Sequence, residues 1–372
     1  MQKINHELLF SPFDLGPLHL ANRIVMAPMT RMACENHIPT EKDAAYYRQF
    51  AEGGSSLLIS ECTFINHPAA NAYPGAPAFY GELALAGWQQ IVEQVHTAGS
   101  YMVPQLWHAG PMRPKGTPPN IDVPAYGPME ISTGGIAETI GMSLQDIDDV
   151  VRAFARAAAD AKAIGFDGVE IHGAHSFLID QFLWSKTNHR KDAYAGSIKN
   201  RVRFAVEVVS AVRDAVGVGF PILFRFSQWK QGDYDARIAN DPTELEQLLL
   251  PLVAAGVDVF HPSTRRFWEP AFDDSPLSLP AWTKNITGKP VIAVGSVGID
   301  ILLDLGIFNG ESFDSHPASI DAVDIALASG DFDLVAVGRA LLGDSQWPQK
   351  IKAGRNEQIQ RFTPESLKKL AG

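Results

Sequence analysis

The chain has 372 residues, of which 46% are hydrophobic and 20% are charged, and its formal net charge at pH 7 is −11. This length allows a large buried core, and the composition is that of a globular protein. The acidic balance argues against nucleic acid or an anionic membrane as the main partner, because both require a basic face.

Cysteine usage and the N-terminal residues bear on the cellular compartment. Cys34 and Cys62 are the only cysteines, and two cysteines without metal-ligand spacing or a disulfide framework are typical of a reducing cytosol. Residues 1–10 lack the basic segment and long apolar run of a secretory signal. No run approaches the roughly 18 apolar residues of a membrane-spanning helix. We therefore expect a cytoplasmic protein.

Eight segments are predicted to be strands, because their centres are continuous apolar runs. Such runs are typical of parallel strands that are covered by helices. In chain order the segments are 22–30, 56–65, 101–108, 168–175, 221–229, 257–264, 290–297 and 334–342.

Helical patterns lie between these segments. The clearest is residues 143–164, where Ser143 can cap the helix, Asp146 completes an acidic first turn and Gly165 can end it. Further predicted helices are 43–53, 88–98, 197–216 and 242–255. Strands that alternate with helices, without a second compositional block, predict an α/β fold: one (β/α)8 TIM barrel over residues 1–372. An open doubly wound sheet is the main alternative.

Three segments do not fit the repeat. Residues 9–20 contain turn-forming residues and predict a β-hairpin that closes the bottom of the barrel. Residues 110–141 and 265–279 form long loops after the third and sixth strands. Loops of this length are usually functional, and both follow the strand ends where a barrel keeps its active site.

Polar residues and glycines mark the carboxyl ends of the predicted strands: Thr30, Cys62, Gln105, His108, His172, His175, Arg225, Gly295, Ser296, Gly338 and Arg339. A buried guanidinium needs an anionic or carbonyl partner, so Arg225 indicates either a ligand contact or a structural ion pair. The role of Gln105 is also left open: it is either a ligand contact or a hydrogen-bonded core amide. Glycines after the seventh and eighth strands are typical of a phosphate site, to which Arg339 adds charge.

His172 and His175 are the most informative pair. Two hydrogen-bond donors side by side suit a carbonyl or phenolate oxygen better than zinc. By strand alternation we expect Glu170 to point away from the side that His172 faces, which leaves the imidazoles without a third metal ligand. A metal-dependent hydrolase stays open as a minor alternative.

Six motifs occur in a fixed order along nearly the whole chain: APMT (27–30), QLWHAG (105–110), HGAH with LIDQFL (172–183), NRVRF (200–204), FRFS (224–227) and VAVGRALL (335–342). Together they resemble the Old Yellow Enzyme family of FMN-dependent ene-reductases. The resemblance implies a flavin ring that lies across the mouth of the barrel.

The resemblance also implies roles for individual residues. The flavin ring would contact Pro28, Met29, Thr30, Cys62 and Gln105, with the Thr30 hydroxyl near the C4 carbonyl. Arg225 would face N1 and O2, where a cation stabilises the negative charge of the reduced flavin. The phosphate would be held by Val294, Gly295, Ser296, Gly338 and Arg339.

The implied chemistry is a ping-pong reduction. NADH or NADPH would pass a hydride through flavin N5 to the β-carbon of an α,β-unsaturated carbonyl compound, whose oxygen His172 and His175 would hold. No GxGxxG follows a strand, which agrees with a nicotinamide bound in the substrate cavity. The loop RRFWEPAF (265–272) is either packed by its aromatic residues or acts as a lid. As a lid, its Arg265 or Arg266 would meet phosphates or an acidic substrate, and Trp268 would lie near the substrate.

One departure from the family pattern affects the functional prediction. Many relatives carry a tyrosine as proton donor where this chain has Phe177, and a phenyl ring donates no proton. Solvent, Tyr73 or Tyr126 could supply the proton instead. The alternatives are an FMN-dependent amine dehydrogenase or demethylase, and a flavin-binding protein without enone turnover. The sequence leaves the natural alkene, the choice of NADH or NADPH and a homo-oligomeric state open.

Overall fold

Strands and helices alternate along the computed structural model, which describes residues 6–133, 136–300, 315–367 and Leu370. The strands are β1 (Phe13–Leu15), β2 (Leu18–Leu20), β3 (Ile24–Met26), β4 (Leu57–Phe64), β5 (Tyr101–Trp107), β6 (Ala125–Gly127), β7 (Ile131–Thr133), β8 (Ile136–Gly141), β9 (Val169–Gly173), β10 (Ile222–Ser227), β11 (Val259–Ser263), β12 (Ile292–Val294) and β13 (Leu334–Val337). The α-helices are α1 (Glu41–Glu52), α2 (Glu82–Thr97), α3 (Leu144–Ala163), α4 (Leu178–Leu183), α5 (Ile198–Arg201), α6 (Arg203–Val216), α7 (Pro242–Ala255), α8 (Leu279–Thr287), α9 (Asp321–Ser329), α10 (Arg339–Gly343) and α11 (Trp347–Lys352). Short 3-10 helices lie at Glu35–His37, Gly110–Met112, Asn356–Gln358 and Pro364–Leu367.

The predicted barrel is confirmed. Eight parallel strands close in the order β3-β4-β5-β9-β10-β11-β12-β13, and β13 pairs with β3. Each of the eight predicted strand segments contains one of these strands. The predicted strand segment 334–342 is too long. β13 ends at Val337, and α10 begins two residues later because Gly338 turns the chain into that helix.

Two layers of side chains fill the inside of the barrel. The layer near the amino ends is apolar and includes Val103, Leu223 and Val259. Two residues further along the same strands, the inward face carries Gln105, Arg225 and His261, all of them buried. Side chains at i and i+2 point to the same face of a strand. The inward face of each of these strands therefore changes from apolar core to polar site within two residues.

The N-terminal hairpin lies under the apolar layer, as predicted. β1 and β2 are antiparallel, with Leu15 opposite Leu18. Leu15, Leu18 and Leu20 belong to the same buried cluster as the amino-end layer of the barrel. The hairpin therefore closes the bottom of the barrel and leaves the carboxyl end as its open face.

The predicted capping box of α3 is confirmed. Ser143 Oγ accepts a hydrogen bond from Asp146 N at 3.2 Å, and Asp146 Oδ2 accepts one from Ser143 N at 2.8 Å. The single helix predicted over 197–216 is wrong: it is two helices, α5 and α6, which meet at Val202. None of the helices within the described residues is both long and apolar enough to cross a membrane.

The long loop after β5 contains structure that the sequence did not predict. β6, β8 and β7 form a separate small sheet in it. In the loop after β11, Phe267 and Phe272 are buried, and Arg266 pairs with Glu269 on the surface at 2.8 Å. Both loops leave from the open end of the barrel.

Candidate active site

A cavity of about 290 Å³ opens at the carboxyl ends of the barrel strands. Eleven residues predicted from the sequence line it: Pro28, Met29, Thr30, His175, Arg225, Arg265, Val294, Gly295, Ser296, Gly338 and Arg339. Among the described residues that line it, four are arginines, including Arg31, and none is acidic. A chain with a net charge of −11 therefore presents a local basic cavity at this end.

His172 lies at the end of β9, and its hydrogen bonds define which ring nitrogen carries a proton. Its Nδ1 accepts a hydrogen bond from the backbone N–H of Ala174 at 3.3 Å. Burial, and then the positive charge of Arg225, hold the pKa of His172 well below its ordinary value. A neutral ring that accepts at Nδ1 carries its proton on Nε2, so His172 is a hydrogen-bond donor through Nε2.

His175 lies in the turn that follows β9. Its Nε2 is 2.9 Å from Ser263 Oγ, which leaves Nδ1 as the ring nitrogen that can meet a ligand. Its ring is 4.5 Å from the Trp229 ring and 5.3 Å, edge to face, from the His172 ring. Burial, followed by the charge of Arg225, also holds the pKa of His175 well below its ordinary value. The two imidazoles are therefore adjacent and neutral.

Glu170 is at the centre of a polar network beneath the cavity, and the expectation that it points away is wrong. Glu170 and His172 are two residues apart, so strand alternation places them on the same inward face. The Glu170 side chain is 0% exposed. It accepts a hydrogen bond from Gln105 Nε2 at 2.7 Å and lies 2.6 Å from His261 Nδ1. The carboxylate therefore binds these neighbours and is directed into the barrel.

Arg225 lies between this network and the cavity. Its Nη1 is 3.3 and 3.2 Å from the two ring nitrogens of His261, which places the guanidinium over the ring face. Burial lowers the pKa of Arg225, and the attraction of Glu170 opposes that shift. Its Nε is buried and has no hydrogen-bond partner among the described residues. Arg225 therefore contacts His261 directly, feels the attraction of Glu170, and has an Nε that no described residue binds.

The loops after β12 and β13 form the second side of the cavity. Gly295 has φ +142°, and a Cβ on it would lie 2.6 Å from both Thr264 O and Thr264 Oγ1, so only glycine fits there. Arg339 Nη1 is buried without a hydrogen-bond partner among the described residues. Burial, and then the repulsion of Arg265, lowers the pKa of Arg339 to about 10. A buried cation beside a second cation requires an anion, as a phosphate would provide.

Thr30 and Cys62 meet at the opposite edge of the cavity. Thr30 Oγ1 and Cys62 Sγ are 3.4 Å apart. Cys62 is buried, and burial raises the pKa of its thiol to about 12. The residue is therefore a neutral polar group behind Thr30 and not a reactive thiolate.

Phe177 is 4% exposed and contacts His172 edge to face, with ring centroids 5.0 Å apart. It also packs against Trp107, on which Tyr73 stacks at 5.4 Å. Tyr126 instead packs against His67. Trp268, predicted as a substrate residue, is 46% exposed and does not line the cavity.

Several residues at the site were not singled out from the sequence. They are Ser227, Trp229, Tyr234, His261, Ser263, Phe362 and Leu367. A histidine in the apolar run of β11 was the available signal for His261, because a polar side chain in a buried strand needs a partner. Phe362 and Leu367 carried no such signal, since they reach the cavity from a C-terminal segment held by Arg31, whose Nη2 donates to Leu367 O at 2.7 Å.

Possible metal ligands gather elsewhere. Within the described residues, the group of three such side chains is Cys34, Asp43 and Glu61, on the outer side of the barrel wall. Glu170, the carboxylate nearest to His172 on β9, is already held by Gln105 and His261. The donor set around the two imidazoles is thus one for hydrogen bonding to an oxygen.

Comparisons with known proteins agree with this geometry. The profile of the NADH:flavin oxidoreductase / NADH oxidase family matches residues 8–302. An NADH oxidase of Thermoanaerobacter brockii is 32% identical over 362 residues, which cover 95% of this chain and 52% of the relative, so the chain spans about half of that protein's length. Chanoclavine-I aldehyde reductase fgaOx3 of Penicillium roqueforti is 34% identical over 357 residues, which cover 93% of this chain and 89% of the relative. The solved structure of morphinone reductase in complex with tetrahydroNAD has a TM-score of 0.80 at 26% identity, over 96% of this chain and 93% of that chain.

These similarities cover the barrel, its cavity and the motifs from which the resemblance was inferred. The predicted use of FMN and of a nicotinamide cofactor is confirmed by the family. The chain therefore belongs to the Old Yellow Enzyme family, the NADH:flavin oxidoreductase / NADH oxidase family of FMN-dependent NAD(P)H oxidoreductases.

Proposed function

We propose that this protein reduces the activated C=C bond of α,β-unsaturated carbonyl, or related electrophilic, compounds at the expense of NADH or NADPH. The observation that carries the proposal is the pair of neutral imidazoles, His172 and His175, beside a cavity that Arg225 lines. Two reductases among the named relatives support the same class of reaction.

The residues at the cavity fit FMN. Arg339 Nη1 and Arg225 Nε are buried donors without partners among the described residues. The family pattern assigns Arg339 to the phosphate and Arg225 to the pyrimidine side of the flavin. Pro28, Met29 and Thr30 line the cavity edge between them. Bound FMN supplies hydride transfer from the nicotinamide to the alkene. Arg225 provides the fixed positive charge for that chemistry, and the attraction of Glu170 opposes the loss of that charge on burial.

His172 and His175 act on the substrate's carbonyl oxygen. Nε2–H of His172 and Nδ1 of His175 are the ring positions that protein groups leave open. Donors fixed in a buried site stabilise the negative charge that develops on this oxygen when hydride reaches the β-carbon. Because the pKa of each ring is depressed, both stay neutral, and the oxygen receives hydrogen bonds without a full proton transfer.

The nicotinamide and the alkene use the same cavity in turn. NAD(P)H gives up its hydride and leaves, and the alkene then enters and receives the hydride together with one proton. Arg265, whose guanidinium lies 3.6 Å over the Tyr234 ring at the rim, is placed to meet phosphates of the dinucleotide or an acidic substrate.

Phe177 favours a second candidate function. It occupies the donor position, is buried between His172 and Trp107, and carries no proton. An amine dehydrogenase or demethylase would not need that donor, because its substrate loses hydride instead of gaining a proton. If the protein is an ene-reductase, the proton comes from solvent or from Tyr73, which stacks on the far face of Trp107.

Anaerobic stopped-flow mixing separates the two candidates. Protein reduced with one equivalent of NAD(P)H is mixed with 2-cyclohexenone, and the flavin absorbance near its visible maximum is followed. We expect reoxidation by the enone and no bleaching of the oxidised protein by secondary or tertiary amines. Bleaching by an amine, with no reoxidation by any enone, contradicts the reductase proposal.

Two variants test the substrate roles. His172→Ala should weaken binding of para-hydroxybenzaldehyde by about tenfold to a hundredfold, because a hydrogen bond to a charged oxygen is lost. Phe177→Tyr should raise the rate of the oxidative half-reaction with 2-cyclohexenone by supplying a proton donor. Unchanged phenol affinity in His172→Ala would rule out the role given to that ring.

A further inference from the structure

The turn that carries His175 is strained. His175 has φ 62° and Ser176 has φ 68°, so two successive residues with side chains adopt the left-handed conformation. This region favours glycine, and other residues remain in it only when surrounding groups hold them there. The question is therefore which groups hold this turn, since the turn fixes an imidazole of the proposed site.

Three side chains hold the backbone of the turn. Ser176 N donates to Asp180 Oδ2 at 2.7 Å, His175 N donates to Ser227 Oγ at 3.2 Å, and Gln181 Nε2 donates to Ser176 O at 3.0 Å. Asp180 belongs to α4, and Ser227 ends β10. The strained turn is thus fixed from two elements that are separate in the sequence.

Lys230 joins these two elements. Its Nζ donates to Asp180 Oδ1 at 2.7 Å and to Ser227 O at 3.0 Å. Both side chains of the Asp180–Lys230 pair are almost completely buried. Burial raises the pKa of Asp180 and lowers that of Lys230, and each charge counteracts the shift in the other. Neither charge is stable in this place without its partner.

The same lysine also orders the other side of the His175 ring. Ser227 Oγ donates to Trp229 O at 2.8 Å, so residues 227–230 form a compact turn. The Trp229 ring packs on His175, and its Nε1 donates to Ser263 O at 3.1 Å. The His175 imidazole is therefore bounded by a backbone turn and by the Trp229 indole. The positions of both depend on residues 227–230.

We propose that the buried Asp180–Lys230 pair is a positioning device that holds the His175–Ser176 turn and so sets where the His175 imidazole meets the substrate oxygen. The inference rests on the proposed function, in which His175 donates to that oxygen. A buried ion pair is rarely retained for stability, because apolar residues of similar volume would serve as well or better. Apolar residues here would leave the Ser176 N–H without an acceptor and the turn without a link to β10.

The test measures the dissociation constant of para-hydroxybenzaldehyde for the oxidised FMN-loaded protein, by titration of the flavin spectrum. We expect Lys230→Met to raise it by about tenfold to a hundredfold through displacement of the ring. The double variant Asp180→Asn/Lys230→Met should recover only part of this loss, because Asn keeps an oxygen for Ser176 N–H and leaves no unpaired charge, whereas the link from Lys230 to Ser227 O stays absent. FMN content should remain that of the parent in both.

Lys284→Met is the matched control. Lys284 Nζ binds Asp333 at 2.8 and 3.0 Å, and Asp333 also accepts a backbone N–H, from Val291 at 2.9 Å. This pair lies at the amino ends of β12 and β13, on the other end of the barrel. Its loss should lower the melting temperature and leave the phenol dissociation constant unchanged. An equal change in phenol affinity in Lys284→Met and Lys230→Met would overturn the proposal, since general destabilisation would then explain both.

Ser227→Ala keeps the experiment decisive if Lys230→Met does not fold. It removes only the hydroxyl that accepts His175 N–H and leaves the ion pair in place. We expect weaker phenol binding with little change in melting temperature, and parent-like binding would contradict the inference. His175→Ala separates this inference from the proposed function: if it binds phenol like the parent, the role of His175 fails. If only His175→Ala weakens binding, the role of the ion pair fails.

Discussion

Glu170 and Glu61 are both buried glutamates of barrel strands, and they lie on opposite sides of the barrel wall. Glu170 on β9 points inward and is next to His261, Arg225 and Gln105. Glu61 on β4 is 2% exposed and points outward, towards α1. Its Oε2 accepts hydrogen bonds from the backbone N–H groups of Arg31 and Met32 at 2.9 and 3.3 Å.

These two carboxyl groups are equally buried, but their pKa values shift in opposite directions. For Glu170, burial works to raise the pKa, but the attraction of His261 and Arg225 outweighs it and leaves the pKa below its usual value. For Glu61, burial is opposed only by backbone N–H groups and Arg31 and is reinforced by Asp43, so its pKa rises to about 7. The sign of the neighbouring charge, and not the depth of burial, decides the protonation state. The inner carboxylate attracts the buried Arg225 cation beside the cavity, and the outer one binds the backbone of the segment that follows Thr30.

The largest expected effect comes from removing the inner charge. Glu170→Gln removes the carboxylate that binds His261 and whose attraction offsets the burial of the Arg225 charge, and a buried charge that loses its counter-charge costs about 3–5 kcal/mol of unfolding free energy. Urea unfolding of the apoprotein at pH 8 measures it. Glu61→Gln in the same experiment should be neutral or stabilising. At pH 8 the Glu61 carboxylate is ionised in a site that favours its neutral form. If Glu170→Gln and Glu61→Gln lose the same unfolding free energy, the proposed difference between the two glutamates is wrong.

The second prediction concerns how the contribution of Glu61 to the unfolding free energy changes with pH. The raised pKa of Glu61 means that the native state binds a proton between about pH 4.5 and 7 that the unfolded state has lost. The contribution of Glu61 to stability is therefore present below pH 4.5 and lost as pH rises through 7. Relative to Glu61→Gln, the parent should lose on the order of 3 kcal/mol between pH 5 and pH 8. Urea midpoints at four pH values across this range measure the trend.

The inner carboxyl group should show the reverse dependence. Because the pKa of Glu170 lies below its unfolded value, its contribution is complete above the unfolded pKa and is lost as pH falls below it. The free-energy difference between the parent and Glu170→Gln should thus be flat from pH 6 to pH 8 and shrink towards pH 4. A difference that shrinks between pH 6 and pH 8 instead would mean that His261, and not Glu170, governs the network.

The sequence predicted the barrel well because the information is local. The continuous apolar runs that contain β5, β10 and β11 are readable without any partner strand, and so is the cap of α3 at Ser143. Ser197 was also visible as a helix start, whereas the boundary between α5 and α6 at Val202 was not, and Val202 itself keeps helical dihedral angles.

The site was predicted only in part because its polar contacts link distant strands. Arg225 pairs in register with His172 on β9 and with His261 on β11. This register depends on tertiary pairing and is not encoded in any one segment. Asp180 and Lys230 are 50 residues apart, so neither indicates the other. The wrong orientation given to Glu170 had a simpler cause, since residues two apart on a strand share a face.

The smallest expected effect separates two adjacent tyrosines of α1 on the outer side of the wall. Tyr47 OH accepts a hydrogen bond from Glu61 N at 2.9 Å, whereas the Tyr46 hydroxyl is buried and has no hydrogen-bond partner among the described residues. Tyr47→Phe should therefore cost about 1–2 kcal/mol, because it leaves a buried N–H unsatisfied. Tyr46→Phe removes a hydroxyl that makes no such bond and should change the unfolding free energy by less than about 0.5 kcal/mol, or stabilise the protein. Both are measured by urea unfolding at pH 7, and the argument that Glu61 is anchored through its backbone fails if the two substitutions cost the same.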